Sequence, residues 1–136
     1  MSNIKVQGNA SGTGTHTLQS ANTNSNRTAT LPDADTTLGF LNVPVSSTTT
    51  TMATSDVGKV ISLSAGITIP NSTFSAGDVV SLYNNTSGSL TITCTITTAY
   101  IAGTNTDQAT VSLATRGVAT VLFISGTECV ITGNVS

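Results

Sequence analysis

No window of the chain repeats apolar residues at i, i+3, i+4 and i+7 between helix-capping signals, so a helix of ordinary length has nowhere to form. Period-two segments recur instead, at 13–19, 26–31, 58–64, 78–83, 89–96, 109–113, 118–125 and 128–132. Between them stand explicit turns: Ser64-Ala65-Gly66, Ala76-Gly77-Asp78, Asn85-Thr86-Ser87-Gly88, Arg116-Gly117 and Ser125-Gly126-Thr127. Each supplies a Gly for positive φ, or an Asn or Ser that can fold back on its own backbone. Short strands at this spacing predict an all-β fold, an antiparallel β-sandwich of jelly-roll-like or barrel form.

Composition agrees with extended chain. Of 136 residues, 28 are Thr and 17 are Ser, and only 7% are charged. Thr is β-branched, so its restricted χ1 suits a pleated sheet better than a helix. A surface of hydroxyls and amides with a net charge of −2 repels its own copies weakly and suits close, repeated packing.

Apolar residues are unevenly placed. From Asp56 onward they are frequent: Val60, Ile61, Leu63, Ile67, Ile69, Phe74, Val79, Val80, Leu82, Leu90, Ile92, Ile96, Val111, Leu113, Val118, Val121, Leu122, Phe123, Ile124, Val130 and Ile131 are all expected in a two-layer core. Before Pro44 the supply is thin: Ile4, Val6, Leu18, Leu31, Leu38, Phe40 and Leu41 are the large apolar residues of the stretch 2–42. The division expected is an extended N-terminal β arm at 1–42, a linker or extended strand at 43–55, and a compact β domain at 56–136. Ordering costs roughly 1–2 kcal/mol per residue in backbone entropy, and a buried large side chain returns roughly 1.5–3 kcal/mol. Seven such side chains leave some forty residues in deficit unless neighbours share apolar area and strand edges. Other copies of the chain are the natural supplier, so Leu18, Leu31, Leu38, Phe40 and Leu41 are the residues expected at a subunit or virion interface.

Several function classes lack their chemistry. Lys5, Arg27, Lys59 and Arg116 are scattered and form no basic stripe, which argues against nucleic acid as a partner. No stretch approaches the about 18–20 apolar residues of a membrane span, and MSNIKVQGNASG lacks the apolar region of a signal peptide, so a cytosolic origin is expected. Cys94 and Cys129 sit in alternating stretches and read as small hydrophobes, with a disulfide, a metal site or catalysis as alternatives. The Asn-x-Ser/Thr triplets at Asn9, Asn26, Asn71, Asn84, Asn85 and Asn134 arise by chance in so hydroxyl-rich a chain. His16 alternates with threonines, as a solvated or interface strand residue would, although three copies around an axis could hold a metal. Asp33, Asp35, Asp56, Asp78 and Glu128 adjoin turns or strand ends, where they cap backbone N–H groups or pair with Arg27, Lys59 or Arg116; Asp33 and Asp35 could instead serve Ca²⁺. Gly12-Thr13-Gly14 is too short for a phosphate loop. No enzyme, cofactor or metal is expected.

The segment GTGTHTLQSANTNSNRTATLPDADTTL resembles one common in bacteriophage tail fibres and related virion proteins. There a G-T-x-T-L strand precedes an N-T-N-S-N-R-T strand and an L-P-D-A turn leading to a T-L. Ala21 stands where Pro is frequent, and Asp35-Thr36 where a Gly is usual; Asp35 can replace part of that turn through side-chain-to-backbone bonding. The remainder is similar to a module of small phage structural proteins. It is carried by D-x-G-K at 56–59, T-I-P-N-S at 68–72, G-D at 77–78, N-N at 84–85, A-G-T at 102–104 and G-V-A-T at 117–120, with Cys129 where Trp is frequent. The resemblance implies a virion protein, made in the host cytoplasm, whose arms wrap a three-fold axis in a homotrimer. A capsid decoration or cement protein that clamps capsomers and binds the major capsid protein is the first expectation. A tail-fibre or receptor-binding tip, with Tyr83 and Tyr100 as its available aromatics, is the second.

Overall fold

The computed structural model describes residues 11–14 and 43–136. The chain divides into two units, Met1–Thr36 and Thr37–Ser136, and the architecture below is that of the second. The expected interface residues Leu18, Leu31, Leu38, Phe40 and Leu41 lie outside the described residues, as do His16, Arg27, Asp33 and Asp35.

Nine strands form among the described residues: β1 Val45–Ser46, β2 Val60–Leu63, β3 Ile67–Ile69, β4 Val79–Asn84, β5 Leu90–Cys94, β6 Thr98–Ile101, β7 Thr110–Leu113, β8 Val118–Ser125 and β9 Glu128–Gly133. A single 3-10 turn, Thr54–Asp56, is the helical element among them. The fold is all-β with two sheets, one of six strands in the order β1-β2-β4-β8-β9-β6 and one of three in the order β3-β5-β7.

The sheets are mixed, which corrects the antiparallel expectation. The pairs β1–β2, β2–β4, β3–β5 and β6–β9 are parallel, while β4–β8, β5–β7 and β8–β9 are antiparallel. The cause is the path of the chain. After β2 it turns at Ser64-Ala65-Gly66 into β3 of the other sheet, then returns as β4 and crosses again as β5. β2 and β3 therefore each meet a sheet neighbour one full coil later, running the same way: Val60 pairs with Ser81 and Ile67 with Ile92. Here the crossover that any parallel pair requires is itself a strand. Gly66 allows successive coils to approach, since a Cβ there would lie 2.7 Å from the Thr91 carbonyl oxygen.

The stretch expected as a linker joins this coil. Val45 and Ser46 pair with Val60 and Ile61, Thr51 bridges Thr68, and Met52 is buried. One apolar cluster draws on both sheets: Ile61, Leu63, Val80, Leu82, Val121, Phe123 and Ile131 from the larger, Ile67, Ile69, Ile92, Val111 and Leu113 from the smaller. Phe74 and Phe123 stack within it, ring centroids 3.9 Å apart. Val118, Leu122 and Ile124, expected in the core, are exposed instead. β8 is apolar on both faces, and only the Ala119, Val121, Phe123 face turns inward.

Candidate interaction surface

The short motifs that stood out in the sequence turn out to hold turns together. In D-x-G-K, Asp56 is completely buried; it accepts the Ser46 hydroxyl, the Thr48 hydroxyl at 2.7 Å and the Ala53 N–H at 2.7 Å. Burial by itself would raise its pKa, but these three donors and the nearby Lys59 charge outweigh it and hold the carboxyl below its ordinary value. Gly58 follows at φ +75°, a conformation that costs an L side chain strain. In N-N, buried Asn84 donates to the Gly88 and Ala114 carbonyls at 2.7 and 2.9 Å and accepts the Thr86 N–H and hydroxyl. Asn85 takes a 2.7 Å bond from Arg116. In T-I-P-N-S, the Asn71 side-chain oxygen accepts the Thr97 N–H at 3.2 Å, and in G-D, Asp78 accepts the Ser75 N–H at 2.9 Å. These side chains are spoken for by backbone and side-chain groups of their own unit.

The cysteines are free thiols buried in the cluster. Burial, with Asp107 nearby, pushes Cys94 up to about 11; burial, then Cys94, Glu128 and Asp107, pushes Cys129 up to about 12. Both are protonated at neutral pH, and a protonated thiol is neither a strong nucleophile nor a metal ligand. Asp107 itself accepts the Ala99 N–H at 2.8 Å. Among the described residues no group of three or more His, Cys, Asp or Glu is placed to hold a metal ion.

The two sheet faces turned away from the cluster differ sharply. On the three-stranded sheet, Thr68, Thr93 and Thr110 are in register, extended by the bridge from Thr51, and Thr91 pairs with Ser112. These residues are hydroxyl-bearing throughout, as solvated strand positions are in a threonine-rich chain. On the six-stranded sheet the corresponding positions hold hydrocarbon. Val79, Leu122, Val130 and Tyr100 form one row across β4, β8, β9 and β6. Tyr83 pairs with Val118 in a second row, and Val45 with Val60 at the edge. Val118 is 49% exposed, Leu122 39% and Ile124 45%. Ser62, Ser81, Thr120 and Thr132 lie between them, with Glu128 on β9 and Asp107, bridged to Tyr100, as charged residues at the β6 side.

This face was not singled out in the sequence. A usable signal was present in Val118, Leu122 and Ile124: they alternate with Val121 and Phe123, so both sides of one strand are apolar. No family model, no curated protein and no solved structure matches the chain.

Proposed function

We propose that the chain is a bacteriophage virion structural protein, a capsid decoration or cement protein that stabilises the head by clamping capsomers. In this reading the two sheets close on their common core as a sandwich. Residues 1–42 act as an extended arm shared among three copies, and the homotrimer binds the major capsid protein. The supporting observation is the apolar face of the six-stranded sheet, set against the hydroxyl-bearing outward face of the three-stranded sheet. Such a surface is made for lasting contact with protein, and the chain carries no catalytic constellation among its described residues.

The clamp works mechanically. A shell under internal pressure fails where capsomers part, and a subunit bound across the seam adds binding free energy that separation must overcome. Three joined copies gain avidity, because the first attachment raises the effective concentration of the others. Leu31→Asp and Phe40→Asp are expected to abolish binding to purified empty capsids while the circular dichroism and cooperative unfolding of the β domain persist. Normal decoration by either variant would remove the arm as the attaching element. A second reading, a tail-fibre or receptor-binding tip, is favoured by Tyr83 and Tyr100 on one face, where an aromatic ring can stack on a sugar. In that case intact host cells, and not capsids, retain the protein.

A further inference from the structure

We infer that residues 37–41 of this chain lie as a further parallel strand on the edge beside Thr51, covering the first coil of the domain. The bonds around Thr51 define that edge. The Thr68 N–H donates to the Thr50 carbonyl at 2.8 Å, and the Met52 N–H donates to the Thr68 carbonyl at 3.0 Å. In a parallel ladder the residue between those two turns its own N–H and carbonyl the other way, so Thr51 presents both to the side away from β3. Among the described residues no strand pairs with Thr51 on that side.

The far edges show how this fold treats such a position. Beyond β7, the Ser112 and Ser136 backbones exchange bonds of 2.8 and 3.0 Å, and Leu113 bridges Val135. Beyond β6, Tyr100 bridges Asp107 and the Gln108 N–H donates to the Ala99 carbonyl at 2.8 Å. Under those covers Val111, Leu113 and Ala99 are buried. Met52 is buried to the same degree at the limit of the smaller sheet, where an inward side chain has an open flank unless a strand lies beside it. Native folds cover such edges, which otherwise template pairing with another chain.

Connectivity selects the occupant. The compact unit begins at Thr37. Residues 42–44 join 37–41 to β1, and Thr95-Ile96-Thr97 makes the same crossing, from the smaller sheet to the larger, in three residues. A strand at 37–41 therefore needs no more chain than the fold uses elsewhere, and its tether gives it a high effective concentration over any strand from another copy. Its pattern fits as well. Leu38 and Phe40 alternate with Thr37 and Gly39, so one side is apolar, to continue the buried row of Met52 and Ile69, and the other small or polar, like Thr68 and Thr93. Undocking frees the root of the arm and leaves both sheets folded. The inference goes beyond the virion reading and does not rest on it, since it concerns one chain in solution.

The experiment is amide hydrogen exchange of the full-length chain, read residue by residue by NMR, with the Ser112 N–H at the covered far edge as internal standard. The Thr51 N–H is expected to exchange at least about tenfold more slowly than an unstructured amide, equally at about 0.02 and about 1 mM chain. Leu38→Asp and Gly39→Pro are each expected to speed Thr51 exchange at least about tenfold while Ser112 stays protected. A Thr51 amide that exchanges freely in wild type overturns the proposal, as does protection that both variants leave intact. Protection lost on dilution overturns it too, because it assigns the edge to another copy. If both variants also unprotect Ser112, the wild-type nuclear Overhauser spectrum decides: a contact between the Phe40 ring and the Met52 methyl supports the docked strand, and its absence overturns it.

Discussion

Asp56 keeps a carboxylate at a completely buried position because three donors and a nearby lysine charge surround it. The donors come from the 43–55 stretch, so the same contacts fasten that stretch to the domain. Removing the acceptor leaves hydroxyls and an N–H unpaired, at about 1–3 kcal/mol for each group that water cannot reach. Asp56→Ala is therefore expected to lower unfolding free energy by about 3 kcal/mol at neutral pH, measured by urea denaturation. Its pKa is lowered in the folded chain, so this stability is fully present above the ordinary value of 3.8 and is lost as pH falls through the folded value. The gap between wild type and Asp56→Ala should shrink in acid; a gap that stays constant down to about pH 2 would mean the charge contributes nothing.

At the scale of elements, Met52 tests whether the segment before the 3-10 turn belongs to the core. It is 1% exposed, and its N–H donates to the Thr68 carbonyl at 3.0 Å. Met52→Ala is expected to cost about 2–5 kcal/mol in the same denaturation measurement, where a tether would cost nothing measurable. Strand existence was largely legible: β8 occupies the expected residues, and β2, β4, β5, β7 and β9 lie within two residues of expectation at each end. β3 and β6 were not seen, because ITI is three residues long before Pro70 and TAYI runs on from TITCTIT without a break. Pairing was not legible at all. Alternation states which face a residue takes, not which strand lies beside it, and a turn residue does not say whether the chain folds back or crosses over. For the same reason Val118, Leu122 and Ile124 were read as core: hydrocarbon on both sides of a strand looks like burial on both sides.

For the whole molecule, the sequence placed its interface in the arm, at Leu18, Leu31, Leu38, Phe40 and Leu41, whereas the described residues offer a second candidate on the β domain. Both belong to the proposed account, in which a charge-poor subunit is surrounded by protein. The account's central claim is that this subunit is a repeated component of a viral shell. Counting its copies per purified particle, by gel densitometry against the major capsid protein, tests that most directly. A cement protein is expected in a fixed, high ratio to the shell subunit; a count of a few dozen or fewer would contradict it.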